Sequence, residues 1–389
     1  MPTPVSPLSP PPARIGGLDL ARALAVFGMV GVNLPLALGQ HEGMAGALSG
    51  TLSGRAAAVF VVLAGVGLSL AGRRAPTHQA LRRTLARRSL GLGAFGLLWM
   101  PLWPADILHY YAVWLMLGAW ALSWSSARLL QAAALAVGGF VLLYGGLDYE
   151  ARWDRDTLHY EGFWTPVGFV RHLLFDGFHP VLPWVAFLFL GMWLGRHDLR
   201  SSSVRRGLLV RFIALGGVVE GVAWVLEMVA VQRGWEAEVA HQVLGVSPMP
   251  PLPTYMLGAG SLAAAVVVAL IPVAARWLAP SRPLRVVGRH ALSHYVGHVL
   301  FLVVPLYAVQ EELGPLPPEA VVGAVGAYGL LGTAASVMWD RHARQGPLET
   351  LLRRWTAGPP DPGPRPVGTV ASPAPRARVR GTTQRHGVD

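Results

Sequence analysis

The chain has 389 residues, 53% hydrophobic and 14% charged, with mean hydropathy +0.44 and no cysteine. Soluble domains carry about 25% charged residues, so a cytosolic globular protein and a disordered chain are both excluded. The lack of cysteine removes disulfides, thiolate metal sites and redox dithiols. A net charge of +11 would suit a nucleic-acid binder, but the placement of the charges gives it another meaning.

Residues 1–13 are proline-rich and have neither the positive start nor the small-residue cleavage site of a signal peptide, so they are expected to form a flexible cytoplasmic lead. Apolar stretches come next, at 18–38, 55–72, 86–103, 106–124, 127–147, 179–195, 207–231, 254–275, 289–309 and 319–340. Each is roughly 17 to 25 residues long, enough to cross a bilayer core of about 30 Å. The expected fold class is therefore all-α, a polytopic integral membrane helical bundle of about ten transmembrane helices. Only a Trp-Pro corner at 103–104 separates the third stretch from the fourth. The long loop 148–178 is acidic and aromatic, with Asp148, Trp153, Tyr160 and Trp164, and is expected to be ordered over the bundle. The membrane domain so defined runs from 14 to 340. Residues 341–389 form a basic tail, expected to be largely disordered beyond Trp355, with arginines that can rest on anionic inner-leaflet lipid. No internal repeat is evident.

All 32 basic residues are arginine, and Asn33 is the only asparagine. With both termini inside, the cytoplasmic segments hold 27 arginines and 6 acids, and the external ones 5 arginines and 13 acids. Every alternate loop agrees with this positive-inside orientation. The charge is topology, and no nucleic-acid partner is expected. The matching location is the plasma (inner) membrane of a bacterial-type cell.

Polar groups inside membrane segments are costly and mark helix interfaces or functional cavities. At the expected outer level stand Asn33, His41, Glu42, Arg55, Asp106, His109, Tyr110, Asp176 and His179. Asp106 and His109 are three apart and share a helix face, the arrangement that holds an imidazole in its base tautomer. On the cytoplasmic side the arginines of 73–88 (Arg73 and Arg74 first) and of 196–211 (Arg196 first), with Arg285 and Arg289, suit a multiply charged phosphate ligand. Within the bilayer lie Glu220 and Glu227, seven apart, and His294 and His298, four apart. The histidine pair fits interhelical hydrogen bonding first, a ligand passage second and a metal last, and no metal is expected. Gly91, Gly93 and Gly96 match GxGxxG, but they lie in an apolar helix with no strand before it. They read as close helix-packing positions and not as a dinucleotide loop. Tryptophans at segment ends, such as Trp99, Trp103 and Trp164, fit an interfacial belt.

The opening Arg14-Ile-Gly-Gly-Leu-Asp-Leu-Ala-Arg22, continuing to Asn33, resembles the R-x-x-x-L-D-x-x-R start of a transmembrane acyltransferase superfamily. That superfamily contains heparan-alpha-glucosaminide N-acetyltransferase and the YeiB-like bacterial membrane proteins. Further matches are Ser53–Phe60, Asp106–Tyr111, His179–Trp184 with Gly195-Arg196, and Gly288–Tyr295. The resemblance implies transfer of an acetyl group from cytoplasmic acetyl-CoA to an acceptor on the far side of the membrane. It also implies an asparagine at the end of the first helix and a histidine beyond it, here Asn33 and His41. His109 and His179 are the other candidates for the base, with Asp106 as its orienter. Arg73, Arg74, Arg196 and Arg289, with His294 and His298 deeper in the bundle, are the candidates for holding the donor. The expected partners are acyl-CoA, an extracytoplasmic acceptor such as an envelope sugar, and membrane lipid. The assembly is left open, a homodimer among the alternatives. The competing reading is a proton-coupled small-molecule transporter using Glu220, Glu227 and the two histidines, which would need a midplane site.

Overall fold

A computed structural model describes residues 14–154 and 157–357, together with Gly387. Residues 1–13, expected from the sequence to be a cytoplasmic lead, and nearly all of the tail beyond 357 lie outside the described residues. The chain divides into two units, Met1–Thr356 and Ala357–Asp389, and all of the described helices belong to the first.

That unit is built from α1 (Gly16–Ala37), α2 (Gly43–Leu52), α3 (Arg55–Arg74), α4 (His78–Trp99), α5 (Leu108–Ala121) and α6 (Ser126–Gly146). The external loop contributes a two-stranded hairpin, β1 (Trp153–Asp154) with β2 (His159–Tyr160), then α7 (Pro166–Arg171) and a π-helical turn at His172–Asp176. The chain continues through α8 (Val181–Leu194), α9 (Ser202–Gln232), α10 (Ala237–Leu244), α11 (Pro253–Arg276), α12 (Arg282–Arg289) and α13 (Ala291–His298). A second π-helical turn at Val299–Val303, α14 (Val304–Leu313), α15 (Pro318–Asp340) and α16 (Pro347–Thr356) complete it. The protein is an all-α, multi-pass membrane bundle.

Each of the ten apolar stretches falls on helix. Among the described residues, seven helical segments are by themselves long and apolar enough to span, with α2–α3 joined as one and α13–α14 as another. An eighth is the pair 166–176 and 181–194, bent by 47°. Two stretches fall short for visible reasons: α5 has only 14 residues, and α4 starts at His78, eight residues before the apolar run, so it adds Arg82 and Arg83 to the Arg87 and Arg88 already at the head of that run. Side-chain caps set several starts. Thr77 accepts from the Ala80 N–H, Ser125 from Arg128 and Thr165 from Gly168.

In lipid, helices associate by close packing rather than by hydrophobic drive, so small residues mark the seams. A Cβ on Gly65 of α3 would lie 2.1 Å from the Leu188 carbonyl of α8, and one on Gly191 equally close to the Val62 carbonyl. Ser69 donates across the same seam to the Met192 carbonyl, at 2.5 Å. Of the GxGxxG glycines, Gly96 packs on the turn before α5, Gly93 against Ala112 and Gly91 against Trp355. No strand or phosphate loop is involved.

Candidate active site

Asp106 lies at the start of α5 and is fully buried. Its Oδ2 accepts the Leu108 N–H (2.8 Å), the His109 N–H (3.1 Å) and the His109 ring at Nδ1 (2.9 Å). Its Oδ1 accepts the Tyr295 hydroxyl at 3.1 Å, and that hydroxyl in turn accepts the Ile107 N–H at 3.0 Å. Nδ1 of His109 is thus the protonated nitrogen, which leaves Nε2 as the lone-pair side. Nε2 is buried and has no hydrogen-bond partner. The dyad read from the spacing of Asp106 and His109 is present, and Gly96 allows it: a Cβ there would stand 2.6 Å from the His109 nitrogen and 2.8 Å from Asp106 Oδ2.

A small cavity of about 40 Å³ opens beside this turn. Its polar lining comes from Asn33 of α1, His179 at the bend before α8, and Tyr295 of α13; Gly54, Ala57 and Ile107 contribute the apolar wall. Asn33 donates through Nδ2 to Nε2 of His298 at 3.0 Å. His298 can accept there because its Nδ1 faces the His294 carbonyl at 3.3 Å and donates to it. The amide keeps its second N–H and its oxygen for the cavity. His179 carries a buried, unpartnered Nδ1, and its ring meets Trp184 edge-on at 4.7 Å. Gly54 holds φ +67°, and a Cβ there would meet the Tyr255 hydroxyl at 2.3 Å, so this corner accepts only glycine.

The external loop covers the dyad. Phe163 sits edge-on to His109, His172 stacks over it at 5.8 Å, and Tyr110 shares a 3.0 Å hydrogen bond with His172. Asp176 anchors the cover: it accepts the Tyr160 hydroxyl at 2.7 Å and Arg171 Nε at 2.5 Å, and its carbonyl takes the Trp153 indole N–H. Burial first, then the Asp176 carboxylate, holds the Tyr160 hydroxyl well above its ordinary range, so it stays a donor.

His41 is not brought into this cluster. It stands exposed in the turn between α1 and α2, and its side chain makes no hydrogen bond to the cavity residues. The cytoplasmic arginines separate into groups. Asp19 of α1 takes both Arg14 and Arg22, with nitrogen-to-oxygen distances of 2.8 and 2.9 Å, which explains the R-x-x-x-L-D-x-x-R pattern as a buried carboxylate held by two guanidiniums. Arg14, Arg22 and Arg74 line a cleft of about 460 Å³ between the cytoplasmic ends of α1 and α3. These are the two helices whose outer ends line the cavity. Arg289 instead bonds Asp340, in a second cleft. Arg196 donates to the Trp124 carbonyl and Ser126; burial, then neighbouring Arg73, lowers its guanidinium below the ordinary range. His294 is held by Ser336 at 2.7 Å and Tyr328 at 3.3 Å, as an interhelical bond to α15. Glu220 pairs with Arg55 at 3.5 Å and Glu227 with His241 at 3.1 Å, so among the described residues the bonded partners of the two glutamates are not the histidine pair. No group of three or more potential metal ligands occurs among the described residues.

Residues 14–224 match the family model described as heparan-alpha-glucosaminide N-acetyltransferase, catalytic, and residues 194–359 match a protein family of unknown function (DUF418). The first match covers more than half of the chain. The chain belongs to the heparan-alpha-glucosaminide N-acetyltransferase catalytic family. No curated protein matches it. Within the family match lie α1, α3, the Asp106–His109 turn and His179, while Tyr295 and His298 come from the region matched by the second model. His298 makes an interhelical hydrogen bond, the first reading of the histidine pair, and Tyr295 is the one whose role reading the sequence missed. Tyr295 was visible only as part of a motif, and nothing in the spacing signals that it reaches Asp106, 189 positions away.

Proposed function

We propose that this member of the acetyltransferase family moves an acyl group, acetyl first, from cytoplasmic acyl-CoA to an acceptor on the external side of a bacterial-type plasma membrane. The carrying observation is the convergence of Asn33, His179 and Tyr295 on one outer cavity, backed by the buried Asp106–His109 dyad. Residues 14–340 would form the catalytic domain. Its donor mouth is the cleft of Arg14, Arg22 and Arg74, whose guanidiniums match phosphate in charge and fork geometry.

In this reading an acceptor N–H or O–H gives its proton to His179 while its heteroatom attacks the thioester carbon. The negative charge that develops on the carbonyl oxygen is met by the free N–H of Asn33. The carbon–sulfur bond then breaks, and the CoA thiolate leaves with the proton. Asp106 acts by position: it holds Tyr295 and, through the Tyr295 hydroxyl, Ile107, and both line the cavity. An envelope amino sugar is the acceptor class that suits the chemistry.

The test is acetyl transfer by protein reconstituted in vesicles with acetyl-CoA on one side and a glucosamine-type acceptor on the other. Asn33→Ala is expected to lower turnover by about 10²-fold or more. His179→Ala should lower it by about 10²- to 10⁴-fold, and His41→Ala should leave it near wild type. Full activity in folded His179→Ala, with loss in His109→Ala, would move the base to His109. Full activity in Asn33→Ala and in both histidine variants would end the reading.

A further inference from the structure

We propose that the corner formed by α12, the 341–346 turn and α16 binds one anionic phospholipid of the inner leaflet, its phosphate among arginines and one acyl chain in an adjoining groove. This site shares Arg14 with the donor mouth between α1 and α3 but is otherwise lined by different residues, and its test does not depend on acyl transfer.

Six arginines line a cleft of about 860 Å³ here: Arg14, Arg282, Arg289, Arg341, Arg344 and Arg353. Asp340 is the one acid in that lining; it is bonded by Arg289 and lies 3.9 Å from Arg282. Arg341, Arg344 and Arg353 therefore face the cleft with no carboxylate of its lining paired to them. Arg289 keeps a buried Nε without a partner, a further donor not yet used. Positive-inside topology alone accounts for arginines spread along loops, but not for six brought to one concave surface from four separate segments. Such a surface calls for an anion with several acceptor oxygens.

The second half of the site is apolar. A groove of about 310 Å³ runs between Leu92 and Phe95 of α4, Leu292, and Leu348, Leu352 and Trp355 of α16. In α16, Leu348, Leu351, Leu352 and Trp355 repeat at helical spacing, while Arg353 is turned to the cleft. This is the pattern of a helix lying in the membrane interface. Trp355 is 61% exposed, as an interfacial anchor is.

Cleft and groove are held in one geometry. Glu349 of α16 accepts the Leu292 N–H at 2.6 Å, the Ser293 N–H at 3.2 Å and the Ser293 hydroxyl at 2.6 Å, and the Leu348 N–H donates back to Ser293 at 3.1 Å. This clasp fixes α16 on the first turn of α13, three residues beyond Arg289. A ligand that fills both halves carries a phosphate and a hydrocarbon chain side by side. A nucleotide satisfies only the first half, and a neutral lipid only the second.

The experiment is lipid retention by the detergent-purified full chain, read by native mass spectrometry after incubation with equal phosphatidylglycerol and phosphatidylcholine. One phosphatidylglycerol per chain is expected. The double variant Arg344→Glu/Arg353→Glu should weaken its retention by about tenfold or more, and Trp355→Ala should weaken it while leaving the preference for the anion. Unchanged unfolding temperatures in the lipid-free variants show that the fold is intact. Equal retention of the two lipids, or wild-type retention by the double variant, overturns the proposal. So does displacement of the lipid by inorganic phosphate, which would show that only a free anion is read. Displacement by CoA would reassign the cleft to the donor and overturn it as well.

Discussion

Asp106 is an acceptor used four times, and one of those bonds ties it to a helix 189 positions away. A buried carboxylate is tolerable only when its oxygens are satisfied in this way. Tyr295 is the partner whose removal is easiest to interpret, because phenylalanine keeps the ring and deletes only the hydroxyl. Tyr295→Phe leaves the Ile107 N–H without its acceptor and Asp106 Oδ1 without its donor. Each unsatisfied buried group costs about 1–3 kcal/mol, so a lowered midpoint of thermal unfolding in detergent is expected. If Asp106 acts by holding the cavity wall, turnover falls in the same variant while the affinity for acyl-CoA is unchanged. Loss of donor affinity instead would place Tyr295 on the donor path.

At the scale of elements, the helices were legible wherever an uninterrupted apolar run of membrane length recorded them. The start of α4 was not, because its first three turns are arginine-rich and project from the apolar span. The pairing of Asp106 with His109 was legible from their spacing, but the structure makes it without a shared helix face: Asp106 precedes α5 and accepts its first N–H groups, which brings the carboxylate to the His109 ring. The choice among histidines was not. His41 comes eight positions after Asn33, but α1 ends at Ala37 and His41 stands exposed in the turn after it, whereas His179 arrives from the bend between two helices far along the chain. Contacts of that kind depend on the packing of the bundle and leave no local signature. Gly96 shows the same limit from the other side. It belonged to a misleading motif, yet its place is decided by the dyad it touches. Gly96→Ala forces the Asp106–His109 turn to shift and is expected to cost about 1–3 kcal/mol, with acetyl transfer reduced more than stability accounts for. Gly138→Ala in α6, where a Cβ meets nothing within 4 Å, serves as the control and should stay within about 1 kcal/mol of wild type. Equal effects of the two substitutions, measured by unfolding and by turnover, would show that the α4–α5 contact is not tight.

Across the whole molecule, the asymmetry of arginine sets which mouth faces which solvent, and the proposed chemistry depends on that direction. The donor cleft must open to the cytoplasm, and the loop covering His109 must lie outside. The absence of cysteine from the sequence makes this directly measurable, since any thiol introduced is the only one. Glu161→Cys in the external loop and Glu236→Cys before α10 replace exposed side chains. Both should react with a membrane-impermeant maleimide in intact cells. His78→Cys, at the start of α4, and Arg344→Cys, before α16, are also exposed and should react only after permeabilisation. The reverse pattern would invert the bundle and set Arg14, Arg22 and Arg74 outside, away from any supply of CoA. Labelling of Arg344→Cys from outside, with His78→Cys protected, would instead break the common side assigned to the two halves, because the number of crossings between them would then be odd.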